Sequence, residues 1–203
     1  MPLWGTTHDA IDNKPQFLAD DADSDYDITR SFASNKGWMM RNSAATGNDN
    51  TAADDEILVA IGGLAGTSTT TGLKRPTITR VRFGEDAYVG AVPITVNVTW
   101  DELVEYDAGS PATLVVTSTG TNITCTATHM DGNAIADEMQ GNTVRFTGTT
   151  VDQAATLSLA NNLVIGDPDL KDAVDGTVLN AASKTITSAV KTASGYTTRA
   201  VTT

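Results

Sequence analysis

Apolar and polar positions alternate most cleanly between residues 94 and 100, where Ile94, Val96, Val98 and Trp100 are separated by Thr95, Asn97 and Thr99. A period of two puts each set on one face of a pleated strand, so this segment predicts a half-buried strand. Residues 77–83 predict another, with an imperfect alternation of Ile78, Val81 and Phe83. A strand is expected at 113–117. Ile123, Cys125 and Ala127 alternate with Thr124, Thr126 and Thr128 in the next. Val144 and Phe146 mark a further strand, Leu157 and Leu159 one more, and 163–165 a short one. Asp107-Ala108-Gly109-Ser110-Pro111, Asp131-Gly132-Asn133 and Gly166-Asp167-Pro168 are turn signals between them. Residues 185–187 and 196–198 either close the sheet or form a C-terminal tail. About seven strands at this spacing predict a β-sandwich over 71–203.

The first 70 residues read differently. Short apolar anchors (Leu3-Trp4, Phe17-Leu18, Tyr26, Ile28, Phe32, Trp38-Met39-Met40) are separated by polar stretches such as Asp20-Asp21-Ala22-Asp23-Ser24-Asp25. No helical or strand period persists, so an extended arm is expected. Its one short strand is Glu-Ile-Leu-Val-Ala-Ile at 56–61, stopped by Gly62-Gly63. Gly66 to Gly72, with Thr-Ser-Thr-Thr-Thr inside, reads as a linker.

Composition supports an all-β chain: 33 of 203 residues are Thr, against 6 Lys, and aromatics make up 5%. β-branched residues favour strands, while the abundant Gly, Asn and Asp favour turns. The formal net charge is −12, of which −7 falls in residues 1–60. Such acidity argues against nucleic acid or an anionic membrane as partner, because counterion release needs Lys and Arg. No apolar run reaches the ~18–20 residues of a helical span. The opening Met-Pro-Leu-Trp-Gly runs into acids, so no secretory signal is expected. A single cysteine excludes an intramolecular disulfide framework.

Two stretches carry resemblances. Residues 92–165 contain Val-Pro-Ile-Thr-Val-Asn-Val-Thr-Trp-Asp-Glu, then Gly-Ser-Pro-Ala-Thr-Leu-Val-Val-Thr, Gly-Asn-Thr-Val-Arg-Phe-Thr and Leu-Ser-Leu-Ala-Asn-Asn-Leu-Val-Ile. That order resembles the bacterial immunoglobulin-like repeats of adhesins and phage structural proteins, which implies an immunoglobulin-like β-sandwich. Asp172 to Gly176 matches the family's late Asp-x-x-Gly only in part. At the N-terminus, Met1-Pro2-Leu3-Trp4-Gly5, Lys14-Pro15-x-Phe17-Leu18 and Gly37-Trp38 resemble small virion proteins of contractile-tailed cyanophages. This second resemblance implies a structural component of a phage particle.

Leu3, Trp4, Phe17, Leu18, Phe32 and Trp38 are the expected partner-binding residues of the arm. Each aromatic offers about 150–250 Å² of surface to bury. Two destinations are open to them: their own domain, or pockets of neighbouring subunits, where aromatic anchors are enriched. Lys74, Arg75, Arg80 and Arg82 form a basic cluster in an acidic chain. It either faces the acidic arm or an acidic neighbour, or is a solvated strand face.

Catalytic chemistry finds little support. There is no Gly-x-Ser-x-Gly elbow, and Gly62-Gly63-x-x-Gly66 lacks the ending of a phosphate loop. Cys125 and His129 would lie about 13 Å apart along a strand at ~3.3 Å per residue, too far to share a zinc ion. A paired-carboxylate glycosidase could in principle combine Asp101 or Glu102 with Asp137 or Glu138, yet acids beside turns are normally solvated. Calcium is the least implausible ligand, at Asp101-Glu102, Asp131-Gly132-Asn133 or Asp167-Pro168-Asp169. The sequence reading is therefore a non-enzymatic virion structural protein with no cofactor and no metal. Its favoured form is a capsid decoration or cement protein on the outer surface of the head. Its partners would be the major capsid protein, other virion subunits or further copies of itself. The alternatives are a neck, tail or baseplate accessory protein, or a host-surface or glycan-binding module.

Overall fold

A computed structural model of the chain describes residues 18, 27–42, 53–66, 73–107, 109, 111–150, 152–166 and 170–203. Leu3, Trp4, Phe17, the acidic run 20–25, most of the 66–72 linker, and Asp167, Pro168 and Asp169 lie outside them. The described chain is all-β. Its strands are β1 (Ser31–Ser34), β2 (Gly37–Met40), β3 (Glu56–Ala60), β4 (Ile78–Phe83), β5 (Ala87–Val89), β6 (Pro93–Tyr106), β7 (Thr113–Ser118), β8 (Ile123–Met130), β9 (Asn133–Ala134), β10 (Met139–Thr149), β11 (Ala155–Ser158), β12 (Leu163–Val164), β13 (Leu170–Asp172), β14 (Thr185–Ile186) and β15 (Arg199–Thr202). One short helix, α1 (Ser188–Ala193), is capped by the Thr187 hydroxyl, which accepts from the Val190 amide.

Thirteen strands form one curled sheet in the order β3-β2-β1-β6-β10-β8-β7-β11-β15-β5, with β4 and β13 also on β6 and β9 on β8. β12 and β14 pair separately. The long strand β6 organises the sheet. Its first half pairs with β4 and β10, and its second half with β13 and β10. Between the halves the register slips: Thr99 faces Thr143, yet Val104 faces Gly141. The extra β6 residues form a bulge, and there β1 joins in parallel through Ala33 opposite Glu102.

The alternation read from 94–100 is the core face of β6. Ile94, Val96, Val98 and Trp100 are buried with Val144, Phe146, Leu114 and Cys125. The later elements close over them with Leu157, Leu159, Ile165, Ile186 and Val201. The Trp100 indole N–H donates to the Ser183 carbonyl at 2.8 Å, so the largest core side chain also has its polar atom satisfied. Between α1 and β15, Tyr196 packs on Phe83 at 5.8 Å between centroids and its hydroxyl accepts from the Leu159 amide at 2.6 Å.

The described residues of 27–66 depart from the expected arm with one short strand: they carry three. β1 and β2 form a hairpin with Phe32 opposite Met39 and Ala33 opposite Trp38, and β3 adds to β2. The sequence shows no period of two here because both faces are covered: all four residues of β2 and three of β1 are buried. Trp38, Ala33, Leu64, Ala65 and Leu73 make a second small core. Gly37 permits the turn. Its φ is +129°, and a Cβ there would collide with the Val59 carbonyl and the Ile61 amide.

Candidate interaction surface

Of the expected partner contacts, Phe32 and Trp38 are only 3% and 2% exposed. This corrects their assignment as docking residues: of the two destinations open to them, they occupy their own fold. Trp38 fills the second core, and Phe32 lies under the Arg41 guanidinium at 5.6 Å. Leu18 is half-buried in a bend. Leu3, Trp4 and Phe17 lie outside the described residues.

The basic cluster does not form one face. Lys74 is exposed. Arg75 donates to the Thr177 hydroxyl at 3.4 Å, beside the acidic turn that holds Asp172 and Asp175. Arg80 is buried, and burial followed by its neighbour Arg82 pushes its pKa down to about 10. Both a docking face and a solvated face are therefore corrected for Arg80. Arg82 is half-buried opposite Asn97. β4 bulges between Ile78 and Arg80, and from there Arg80, Val81 and Arg82 pair in regular register with Thr99, Val98 and Asn97 of β6. Pairing across the sheet extends the row through Asn97 to Arg145 and on to His129. The sequence reading missed Asn97 and Arg145 as candidates. Their polar phase between Val96 and Val98, and between Val144 and Phe146, was the available signal.

The β6 bulge gathers acids. An Asp101 carboxylate oxygen accepts from the Thr77 amide at 2.7 Å. Glu102 is 1% exposed and neither carboxylate oxygen has a hydrogen-bond partner. Burial, then repulsion from Asp101, Asp172 and Asp175, pushes its pKa up to about 8. Asp172 is buried on β13, with its own pKa raised chiefly by burial. A small cleft beside this junction, about 290 Å³, is lined by Ala33, Ser34, Asn35, Leu103, Gln140 and Val174 among others.

Of the oxygen donors suggested for calcium, Asp167 and Asp169 lie outside the described residues. Among the described residues no group of three or more His, Cys, Asp or Glu is placed to hold a metal ion. Asp131 is engaged by Arg41 and by the Asn142 and Thr143 amides. Cys125 sits buried opposite Leu114 on β7, and burial pushes its thiol up to about 11, as expected of a core cysteine. Among the described residues no helix is long and apolar enough to cross a membrane.

Compared with known proteins, the chain matches no family model, no curated protein and no solved structure.

Proposed function

We propose that the protein is a structural subunit of a bacteriophage virion, specifically a capsid decoration or cement protein. In this reading, an immunoglobulin-like sandwich is carried outward on a segment that docks between neighbouring capsid subunits. The resemblance of Leu3-Trp4-Gly5, Lys14-Pro15-x-Phe17-Leu18 and Gly37-Trp38 to cyanophage virion proteins supports the class. The observation that carries the mechanism is the position of β1. The chain following Asp27 enters β1, which lies between β2 and the central strand β6. β1 is therefore not an edge strand: it pairs along its length with β2 and at Ala33 with β6.

Phe32 and Trp38 hold that anchor in place. Leu3, Trp4, Phe17 and Leu18 remain as the contacts toward neighbouring subunits. A modest contact per copy, repeated on a symmetric lattice, sums to large stabilisation. The test is reconstitution. Particles lacking the protein are mixed with the full chain or with a chain starting at Asp27, then sedimented. The full chain is expected to co-sediment and the shortened one to stay in solution while keeping its melting temperature. Equal co-sedimentation of both overturns the docking mechanism.

A further inference from the structure

On the polar face of the sheet, where Asn97 of β6 lies opposite Arg145 of β10, a cleft of about 390 Å³ opens. Its walls are the turn containing Thr29 and Arg30, the Arg41–Asn42 segment after β2, and the turn Asp131-Gly132-Asn133. Among the described residues that line it, Arg30, Arg41 and Arg145 are basic and Asp131 alone is acidic.

The described carboxylate is already engaged. Asp131 pairs with Arg41 and accepts from the Asn142 amide at 3.2 Å and the Thr143 amide at 3.0 Å. Arg41 is fixed further by the Asn142 side-chain oxygen at 3.4 Å and by the Phe32 ring below it. Asn142 is fully buried, and its amide nitrogen donates to the Thr29 carbonyl at 2.8 Å, tying the wall of the cleft to its floor. Arg145 differs. Its Nε donates to the Asn97 side-chain oxygen at 3.4 Å, and among the described residues no carboxylate pairs with its two terminal nitrogens. A half-buried guanidinium held at Nε presents its remaining nitrogens as a fork suited to a planar carboxylate. Around it stand Asn97, Asn133 and Thr143, groups that exchange hydrogen bonds with hydroxyls. The volume falls within the range of small-molecule sites.

We propose that this cleft binds an acidic sugar, with Arg145 clamping its carboxylate and Asn97, Asn133 and Thr143 reading the neighbouring hydroxyls. None of the described residues that line the cleft falls within 1–26, so its test is separate from that of the docking mechanism above.

The experiment titrates the full chain with glucuronate and galacturonate, following amide shifts by NMR. Glucose and inorganic phosphate serve as comparison ligands. Saturable binding of at least one uronate is expected, with shifts centred on Asn97, Thr143 and Arg145 and affinity at least about tenfold above that for glucose or phosphate. Arg145→Gln should lower uronate affinity at least tenfold. Arg145→Lys keeps the charge and the packing stem but loses the fork, and it should lose most of that affinity too. A chain starting at Asp27 should bind the uronate as the full chain does, whether or not it docks on particles. Phosphate binding as tight as uronate would reduce the cleft to a bare anion site and overturn the sugar assignment. No saturable binding, or unchanged affinity in a folded Arg145 variant, would overturn the site.

Discussion

Trp38 and Glu102 stand in one cross-strand row, joined through Ala33. Ala33 is the partner of Trp38 across the β1–β2 hairpin and of Glu102 across the parallel contact with β6. Two strand spacings, roughly 10 Å at the backbone, separate the two residues. The indole N–H of Trp38 and both carboxylate oxygens of Glu102 are buried without hydrogen-bond partners. The junction between the N-terminal unit and the sheet therefore holds an acid that is costly to ionise.

That cost has a sign. The Glu102 pKa rises from 4.5 to about 8 on folding, so between those values the native state binds the extra proton. Stability is then fullest below about pH 4.5 and falls as pH rises toward 8, by on the order of 5 kcal/mol for a fully buried group. Asp172 and Asp131, also raised, act in the same direction. Glu102→Gln removes only the Glu102 share. Urea melts at pH 5 and pH 8.5 should show a smaller loss of stability with pH in the variant than in the parent. Equal losses would contradict the assignment.

Trp100→Ala should destabilise the fold by about 3–5 kcal/mol, since it opens a cavity in the main core and strands the Ser183 carbonyl. Denaturant unfolding measures this directly. A melting temperature equal to the parent's would place Trp100 outside the core.

Gly37→Ala should cost about 2–4 kcal/mol, because the backbone there is left-handed and the added Cβ meets β3. The damage should be local. Proteolytic cleavage within 41–66 should speed up while the main sheet keeps its amide protection.

Cys125 should resist iodoacetamide at pH 8 in the native protein and react at once in urea, because the buried thiol stays protonated. Rapid native labelling would mean that β8 opens far more readily than its packing implies.

The main strands were legible because each has one buried and one solvated face, as Ile94 to Trp100 shows, and because Gly, Asn, Asp and Pro punctuate them. The β1–β2 hairpin was not. With Phe32 and Met39 on one face and Ala33 and Trp38 on the other, burial on both sides erases the period. The short strands β5, β9 and β13 hold two or three residues each, too few for any period to register. α1 was missed as well, because Ser188 to Ala193 is a single short helix in a Thr- and Ser-rich stretch. The basic cluster was visible as composition, but the burial of Arg80 depends on what packs around it in three dimensions, which no local pattern encodes. Arg145 joins Arg41 and Arg30 only through pairing across the sheet and the fold-back of residues 27–42.

The hairpin also sets where the chain can be cut. Removing residues 1–40 deletes β1 and β2, leaving Leu64, Ala65 and Leu73 without Trp38. That truncation should lose the small second core and melt below the parent, whereas a start at Asp27 preserves every described strand. Circular dichroism melts of the two truncations distinguish them.

Cryo-EM of purified particles at side-chain resolution tests the virion reading most directly. The account predicts density for the β6-centred sheet repeated over the capsid lattice, with Leu3, Trp4 and Phe17 seated between neighbouring capsid subunits. Particles whose density accommodates this sequence nowhere would contradict it.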